Sequence, residues 1–509
     1  MNKSPYYLTT PIYYVNDVPH IGHAYTTIAS DMLARFMRLD GREVFFATGT
    51  DEHGQKNAKS AELKGCSPQE YVDTLSERFR QLCVAANTTP TDFVRTTEPR
   101  HHAAAQALWQ QLMDRGHIYL GKYAGWYSVR DEAYFAESEV TEGKAPTGAP
   151  VEWVEEPSYF FRLSQWQEPL LKLYQERPDF IIPKSRLNET IRFVESGLRD
   201  LSISRTTFSW GVPVPGDPAH IMYVWLDALT NYLTCVGYPD TQHLLFQKFW
   251  PASVHMVGKD ILRFHGVYWP AFLMAAGLEV PQRIYAHGWW TNEGQKISKS
   301  LGNVIDPYQL FEKYGLDAVR YYMVREVPFG ADGDFSHETM VQRINSNLAN
   351  DYGNLVQRVL SFVYKNCEGR VAGCHNLQEE DNAMMKVAEA ALDQVRLAME
   401  SCALTRVCDI IWGVIGEANR YIDAQKPWSL RKTDTTRMET VLAVLVDVIR
   451  RVALLTQPMM PEASGRILDF LTVDVHHRDF SYYDRRLSEG ASINEPYAIF
   501  PRYGDLHAD

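Results

Sequence analysis

Two short segments of the chain carry side chains suited to work on phosphate groups. His20 and His23 flank Ile21-Gly22 near the start, and the second segment reads Lys296-Ile297-Ser298-Lys299-Ser300. Imidazoles can donate hydrogen bonds to phosphate oxygens as charge builds on a leaving group, and ammonium groups can neutralise a polyphosphate. Standing alone, the two segments are explained as well by turn histidines and by an exposed basic loop. Their occurrence together, in this order, favours a nucleoside triphosphate site.

The elements around the first segment predict where the histidines lie. Residues 6–9 read as a buried strand, and residues 43–48 read as a second one. From Gly22 onward, apolar residues recur at helical spacing until a stop at Asp40-Gly41. This order predicts a β-α-β unit of a parallel sheet. The histidines would then lie at the carboxyl edge of the sheet and at a helix N-terminus, where anions bind.

The sheet is predicted to resume after a long insertion. Residues 253–257 and 283–287 are strand candidates, and residues 260–276 between them are predicted to form a helix. The lysine segment follows the last of these strands, with Gly294 and Gly302 beside it to permit movement. An exposed basic loop becomes the weaker explanation because the segment follows the second half of the same sheet.

Composition restricts the class of protein. The chain has 509 residues, so we expect two or three domains. It has no apolar run long enough to span a bilayer and no N-terminal secretory pattern, which predicts a cytoplasmic protein without membrane contact. Its seven scattered cysteines lack Cys-x-x-Cys spacing and predict reduced thiols rather than a zinc knuckle.

The net charge and the C-terminal pattern bear on nucleic-acid binding. A charge of −12 argues against nonspecific coating of nucleic acid. Long helical patterns at 381–404 and 436–455 predict a helical bundle in the last third of the chain. A candidate basic track lies within it, although a solvated helix end and loop explains these residues at least as well: Arg420, Lys426, Arg431 and Lys432.

Together, the two segments resemble the signature pair of class I aminoacyl-tRNA synthetases, and almost the whole chain is similar to the methionyl-tRNA synthetase family. The stretches that carry the second resemblance are Thr10-Pro11-Ile12-Tyr13-Tyr14-Val15-Asn16, Thr48-Gly49-Thr50-Asp51-Glu52-His53-Gly54, Tyr223-Val224-Trp225-Leu226-Asp227-Ala228, Val257-Gly258-Lys259-Asp260 and Phe264-His265-Gly266. The resemblance implies an α/β fold, with a split Rossmann-type nucleotide-binding domain, a connective insertion and an α-helical anticodon-binding bundle. The implied boundaries are 1–115 and 223–295 for the catalytic halves, 116–222 for the insertion, 296–350 for the lysine loop and stem-contact segment, and 351–509 for the bundle.

The resemblance further implies the activity of a methionine–tRNA ligase (EC 6.1.1.10). Methionine would attack the α-phosphate of ATP, which arrives with Mg²⁺ as a substrate complex, and the adenylate would pass methionine to the 3′-terminal ribose of its tRNA. Such chemistry needs no protein nucleophile, only positioning and charge stabilisation. The implied catalytic residues are His20, His23, Lys296 and Lys299. For ATP binding they are joined by Gly22, Gly258, Asp260 and Ser298.

A methionine pocket should be apolar and aromatic, because a thioether is weakly hydrated and gains from ring contacts. Asp51 matches the carboxylate that pairs with the substrate ammonium, although without the resemblance it could equally cap a helix. Arg205 matches a family arginine near the active site, but alone it would pass as a surface residue. The implied methionine-binding residues, any of which could instead be core residues, are Pro11, Ile12, Tyr14, Asp51, Trp225, Ala228, Tyr232, Ile261 and His265.

The resemblance implies anticodon contacts by Asn419, Arg420 and Trp428, although Trp428 could instead pack the bundle. Residues 126–132 replace the cysteines with which many relatives hold zinc, so we predict no structural zinc. We also expect a monomer, because no C-terminal dimerisation module precedes Asp509. Two other functions stay open: a small-molecule nucleotidyltransferase, which would lack the helical C-terminus, and a non-catalytic tRNA-binding relative, which would have lost His20, His23 or Lys299.

Overall fold

A computed structural model describes residues 3–15, 18–131, 133–135, 137–297 and 303–504. The strands are β1 (Tyr6–Thr9), β2 (Tyr13–Tyr14), β3 (Val44–Asp51), β4 (Asp92–Arg95), β5 (Ile118–Ser128), β6 (Ala133–Phe135), β7 (Glu152–Phe161), β8 (Ile181–Ile182), β9 (Leu201–Ser202), β10 (Ser204–Arg205), β11 (Pro213–Val214), β12 (Asp217–Met222), β13 (Val254–Gly258), β14 (Ile284–His287), β15 (Trp290–Asn292), β16 (Gln295–Lys296) and β17 (Gly333–Phe335).

The α-helices are α1 (Ile21–Leu39), α2 (Gln55–Lys64), α3 (Pro68–Ala85), α4 (Pro99–Asp114), α5 (Gln167–Glu176), α6 (Lys184–Glu195), α7 (Val224–Thr234), α8 (Leu244–Phe249), α9 (Trp269–Ala276), α10 (Pro307–Tyr314), α11 (Leu316–Arg325), α12 (His337–Gln342), α13 (Asn354–Asn366), α14 (Glu379–Glu400), α15 (Leu404–Gln425), α16 (Pro427–Thr433), α17 (Thr435–Thr456) and α18 (Pro461–Phe470). None of these helices, within the described residues, is both long and apolar enough to cross a membrane.

The chain divides into two compact units. The sheet unit comprises residues 5–27 and 44–287, and the helical unit comprises 1–4, 28–43 and 288–509. The boundary between the two units at residues 27/28 falls within α1. The two histidines of the first segment therefore belong to the sheet unit, whereas Lys296 belongs to the helical unit.

A seven-stranded parallel sheet forms the centre of the sheet unit. Its order is β2-β3-β1-β13-β14-β8, and β4 pairs with β3. The strands β1, β3, β13 and β14 are almost wholly buried, as expected for a parallel sheet covered on both faces. The predicted β-α-β unit is confirmed, with β1 and β3 paired in parallel around α1. β3 extends three residues beyond the predicted end, to Asp51.

The predicted helix over 260–276 is wrong as a single element. The backbone is helical throughout but changes type: a 3₁₀ turn spans Lys259–Ile261, a π-helix spans Phe264–Tyr268, and α9 spans Trp269–Ala276. Pro270 lies in the first turn of α9 and has no N–H to donate to the preceding turn, which fits the change from π-helix to α-helix at this point. Short π-helical turns are frequent at functional sites.

Residues 118–202 add an antiparallel sheet of order β6-β5-β7-β9. A separate three-stranded sheet, β10-β12-β11, follows it. Strand β8 lies within the same stretch of chain but pairs with β14 at the edge of the parallel sheet. Part of the segment 116–222 therefore completes the parallel sheet, and the domain boundaries given above remain a prediction.

The helical unit contains the small sheet β16-β15-β17 and the helices from α10 to α18. Helix α17 is buried on nearly every side from Arg437 to Thr456, so it forms the core around which the others pack. The predicted helix over 381–404 is wrong at its end. It stops at Glu400, because Cys402 has a φ of 43° in the left-handed region, and α15 starts anew at Leu404.

Candidate active site

His20 and His23 form a fixed pair at the start of α1. The backbone N–H of His20 donates to Nδ1 of His23 over 3.1 Å, and the N–H of Gly22 donates to Nδ1 of His20 over 3.1 Å. Since both Nδ1 atoms accept, the proton of each neutral ring lies on Nε2. The rings lie 3.9 Å apart between centroids. Two Nε2–H donors are thus presented together at a helix N-terminus.

Burial keeps both imidazoles neutral. It lowers the pKa of His20, against which the negative charge of Asp260 acts. It lowers the pKa of His23 further, with His20 adding to the effect, and the ring of His23 packs edge-on against Tyr13 and Phe79 at 5.0 and 5.1 Å. Near neutral pH these side chains therefore act as uncharged donors rather than as cations.

Two glycines allow close approach at this edge of the sheet. A Cβ at Gly22 would lie 3.0 Å from Cε1 of His20, and a Cβ at Gly258 would lie 2.5 Å from Oδ1 of Asp260. Gly258 ends β13, and Asp260 is exposed in the 3₁₀ turn that follows. The first turn of α1 contains no acidic residue, so its N-terminus remains suited to an anion.

The predicted methionine pocket is lined from one face of α7 and from the π-helix. Trp225, Ala228 and Tyr232 occupy positions i, i+3 and i+7 of α7, which share a helix face. The half-buried Trp225 ring stacks on Phe264 with the ring centroids 3.7 Å apart and the planes 6° apart. The ring of His265 lies edge-on to Trp225, with the centroids 6.4 Å apart. The structure thus brings residues from distant segments together into an aromatic wall. Phe264 was missed as a pocket residue, although it lies in one of the stretches that carry the resemblance.

The hydroxyl of Tyr232 lies 2.6 Å from Nε2 of His265, whose Nδ1 lies 2.9 Å from the carbonyl oxygen of Ile261. A carbonyl can only accept, so Nδ1 of His265 carries the proton and Nε2 accepts from the phenol. Burial lowers the pKa of His265 to about 4. The polar groups of the pocket are therefore uncharged and hydrogen-bonded within the protein, as an apolar substrate side chain requires.

The end of β3 carries the predicted ammonium-binding group. Asp51 is the last residue of β3, is 7% exposed, and lies in register with Tyr14 of the neighbouring strand β2. The alternative that Asp51 caps the next helix is wrong, because α2 begins after Gly54 without a side-chain cap. Pro11 and Ile12 lie half-buried between β1 and β2. Asp51 therefore lies at the carboxyl edge of the sheet.

A buried carboxylate joins this edge to the pocket helix. Asp227 of α7 accepts hydrogen bonds from Nδ1 of His53 over 2.6 Å and from Nε2 of His101 over 2.7 Å. Burial raises the pKa of Asp227, but the two histidines outweigh burial and hold that pKa far below its usual range. Sequence reasoning gave no role to these groups. Two of them lie in the matching stretches, but their pairing is a long-range contact that no local pattern reveals.

Arg205 is 2% exposed and not a surface residue. Its Nη1 donates to Oγ of Ser202 over 3.0 Å, and its guanidinium lies 4.9 Å from the centre of the Tyr223 ring. Tyr223 directly precedes α7. Arg205 therefore supports the start of the pocket helix.

The lysine segment is described only in part. Lys296 ends the short strand β16, which pairs with β15. Ser298 and Lys299 lie outside the described residues. Among the residues that are described, no group of three or more His, Cys, Asp or Glu side chains could hold a metal ion. The absence of structural zinc stays a prediction.

The predicted anticodon residues lie in the helical unit. The side-chain amide of Asn419 donates to the carbonyl of Asp351 over 3.1 Å, and Arg420 is ion-paired with Glu417 on the helix surface. Trp428 is 41% exposed, so it is not a core residue of the bundle, and the guanidinium of Arg358 lies 5.2 Å from the centre of its ring. Arg358 was missed because it lies on α13, about 70 residues before Trp428.

The fold and the site define a class I tRNA synthetase, and comparison with known proteins specifies which one. Residues 6–150 and 145–360 match the family of class I tRNA synthetases (M), and residues 371–508 match the anticodon binding domain of methionyl tRNA ligase. The chain belongs to this methionyl family, which confirms the family and the fold class predicted from the sequence.

Individual relatives are similar over their full length. The chain is 55% identical over 512 residues to a methionine–tRNA ligase of Rickettsia felis, covering 99% of this chain and 100% of that one. It is 53% identical over 510 residues to the enzyme of Brucella suis, covering 99% of each. The structure of Mycobacterium tuberculosis methionyl-tRNA synthetase in complex with methionyl-adenylate matches with a TM-score of 0.96 and 50% identity, over 98% of this chain and 100% of that one.

Proposed function

We propose that this chain joins methionine to its tRNA in two steps. Methionine and ATP form methionyl adenylate and pyrophosphate, and the adenylate then transfers methionine to the 3′-terminal ribose of the tRNA. The observation that carries the proposal is the presence, in one unit, of two neutral imidazole donors at a helix N-terminus and an aromatic pocket formed by α7 and the π-helix. The M. tuberculosis relative that holds methionyl-adenylate supports it.

In the first step the charge on the leaving pyrophosphate is stabilised by groups of the chain. His20 and His23 donate Nε2–H to the phosphates. The resemblance to the family assigns further triphosphate contacts to Lys296, Ser298 and Lys299. Gly22 and Gly258 let the nucleotide approach the backbone, and Asp260 accepts from a ribose hydroxyl. Mg²⁺ accompanies ATP as part of the substrate. Neutral donors suit this role because they stabilise the developing negative charge and, being uncharged, form no ion pair with a neighbouring carboxylate.

Methionine lies between the end of β3 and the pocket. The buried carboxylate of Asp51 pairs with the substrate ammonium, which offsets the cost of burying that charge. The thioether side chain contacts the ring of Trp225, the small side chain of Ala228 and the Tyr232–His265 pair. The remaining proposed contacts come from Pro11, Ile12, Tyr14 and Ile261.

The tRNA anticodon contacts the helical unit. Trp428 presents an exposed ring on which an unstacked base can lie. The guanidinium of Arg358 lies over that ring and is ion-paired with Asp423 over 2.8 Å. Asn419 and Arg420 lie on the neighbouring helix α15 and extend this surface. The protein acts as a monomer in the cytoplasm.

Charging of tRNA tests the full reaction and separates it from the alternatives. Purified chain, ATP, Mg²⁺ and labelled methionine are incubated with a tRNA transcript carrying the methionine anticodon and with a matched transcript whose anticodon is altered. We expect acid-precipitable methionine on the first transcript and far less on the second. Adenylate formation without transfer would indicate a small-molecule nucleotidyltransferase, and tRNA binding without either step would indicate a non-catalytic relative. Either result would refute the proposal.

A further inference from the structure

A single tryptophan holds the loop that follows Asp51, residues 52–54. The indole Nε1 of Trp210 donates to the carbonyl oxygen of Glu52 over 2.7 Å, and the carbonyl oxygen of Trp210 accepts from the backbone N–H of Gly54 over 3.2 Å. Its ring lies edge-on to His53, with the centroids 5.5 Å apart. Trp210 therefore contacts every residue of this loop, two of them through the backbone.

The other contacts of the loop show why the bond at its far end matters. The fully buried side chain of Glu52 accepts from Nε and Nη2 of Arg95 over 2.6 and 3.0 Å, and its carbonyl also accepts from the side-chain amide of Asn57 over 3.0 Å. Gly54 has a φ of 105°, a region that favours glycine, and α2 begins after it without a side-chain cap. The bond from Gly54 to Trp210 thus fixes the loop at the residue with the greatest conformational freedom.

Trp210 belongs to a short strap, residues 206–212, that connects β10 to β11. At the start of the strap, the backbone N–H and the hydroxyl of Thr206 donate to Oε2 of Glu156 over 3.1 and 3.0 Å. Glu156 is a buried residue of β7 in the antiparallel sheet. The strap is therefore attached to the predicted connective insertion, whereas the loop that it holds follows a strand of the parallel sheet.

The far end of the strap lies tightly against β12. A Cβ at Gly211 would lie 2.3 Å from Cγ2 of Ile221, so the backbone passes this strand closer than any other residue type allows. The next residue, Val212, accepts from the backbone N–H of Met222 over 2.8 Å. Both ends of the strap are thus fixed by strands outside the parallel sheet, and they determine where Trp210 meets the loop.

We propose that Trp210 is a positioning residue for the substrate ammonium: it fixes the backbone that follows Asp51 and, with it, the place of that carboxylate. The inference rests on the proposed function, in which Asp51 pairs with the ammonium, and it gives the insertion a part in recognising the amino group. The attraction between two charges falls with their separation, and a buried pair offsets its desolvation only in good geometry. A displaced carboxylate therefore weakens ligands that carry an ammonium and spares those that lack one.

Removing the indole N–H while keeping a ring tests this role. Trp210→Phe retains an aromatic side chain but loses the hydrogen bond to Glu52. Two probes are titrated into the full chain by calorimetry: methioninol, which has the ammonium but no carboxylate, and 4-(methylsulfanyl)butanoate, which has the carboxylate but no ammonium. We expect the Kd of methioninol to rise roughly fivefold, as for loss of one hydrogen bond, and the Kd of the butanoate to stay unchanged.

A matched control separates this hydrogen bond from the general effect of replacing a tryptophan. Nε1 of Trp250, in the same unit, also donates to a backbone carbonyl, that of Glu279, over 3.2 Å. Trp250→Phe should leave the ratio of the two Kd values at its original value. An equal change of this ratio in Trp210→Phe and Trp250→Phe would overturn the proposal.

The strap gives a second test that leaves the indole intact and does not depend on the folding of Trp210→Phe. Gly211→Ala places a methyl group against Ile221, so the strap or that side chain must shift. We expect the same selective rise in the Kd of methioninol, because the shifted strap carries Trp210 with it.

The outcomes separate this inference from the proposed function. Equal rises in the Kd of both probes would show that Trp210 supports the fold in general, and an unchanged Kd of methioninol in Trp210→Phe and Gly211→Ala would show that the strap does not act on the ammonium site. Either result overturns the inference. If the unaltered protein binds neither probe and catalyses no methionine-dependent exchange, the proposed function itself fails.

Discussion

The carboxylate of Asp227 lies 2.6 Å from Nδ1 of His53, although 174 positions separate the two residues in the chain. Asp227 lies on α7 between Trp225 and Ala228, and His53 lies two residues after Asp51. The contact therefore ties the proposed ammonium site to the proposed side-chain pocket.

Removal of the negative charge of Asp227 should lower the free energy of unfolding. Asp227→Asn leaves an amide that cannot accept from both His53 and His101 without presenting its NH₂ group to one of them. We expect a loss of roughly 3 kcal/mol in the free energy of unfolding, measured by urea titration, and a raised KM for methionine. Asp393→Asn is the control, because Asp393 is 82% exposed and should change stability by less than about 0.5 kcal/mol. Equal losses in the two variants would contradict a special role for Asp227.

The buried histidines predict a loss of stability in mild acid. The pKa of His265 falls from 6.5 to about 4 on folding, and the pKa of His255 falls as well. Between these values the unfolded chain binds the proton and the folded chain does not, so stability is full above pH 6.5 and is lost as the pH falls toward 4. His265 alone accounts for roughly 3 kcal/mol across this window. Urea titrations at pH 7 and pH 5 check this, and His265→Gln should flatten the slope. An unchanged slope in that variant would count against the assignment.

Trp225 should act on methionine binding more than on chemistry. Trp225→Ala removes the ring that stacks on Phe264, so we expect the KM for methionine to rise at least about tenfold, with kcat and the KM for ATP little changed. Trp153→Ala is the control, since Trp153 is 51% exposed on the antiparallel sheet. Unaltered methionine affinity in Trp225→Ala would remove this residue from the pocket.

Lys299 should act mainly in the transition state. Lys299→Ala is expected to slow adenylate formation in single-turnover experiments by roughly 100-fold, with methionine affinity nearly unchanged. Lys172→Ala serves as the control, because Lys172 is 72% exposed on α5. Parallel losses of rate and affinity in Lys299→Ala would indicate that the loop is structural.

The exposed ring of Trp428 should contribute only to the second step, the transfer of methionine to the tRNA. Trp428→Ala and Arg358→Ala are each expected to lower kcat/KM for tRNA by about tenfold or more, as for loss of a stacking base contact, without affecting methionine-dependent pyrophosphate exchange. Arg466→Ala, at a half-exposed position of α18, is the control. A defect in exchange would show that the variants disturb the catalytic unit rather than the anticodon surface.

Much of the sheet could be predicted because its strands are short, buried and bounded by turns. Strand β1 has the predicted bounds, α1 begins one residue earlier than predicted, and β13 is shifted by one residue at both ends. The π-helix over Phe264–Tyr268 could not be predicted, because five residues are too few to distinguish its period from that of an α-helix. The end of α14 was missed for a similar reason, since the positive φ of Cys402 leaves no pattern in the side chains.

The candidate site likewise combines residues that the sequence indicated with residues that it did not. His20, Asp51 and Trp225 were found through the resemblance, because they lie in continuous matching stretches. The partners that hold such groups in place come from other segments. His255 contacts Thr9 across 246 positions, a pairing that only the folded sheet creates. Sequence patterns can therefore propose residues for the substrate site, but they do not reveal the distant residues that pack against them.

The most direct test of the account is amino-acid-dependent exchange of pyrophosphate into ATP, measured with each of the twenty amino acids. Exchange requires formation of the adenylate at the histidine pair and selection of the amino acid in the aromatic pocket, so it examines both parts of the site at once. The account predicts rapid exchange with methionine and very little with any other amino acid. No exchange with methionine, or faster exchange with another amino acid, would contradict it.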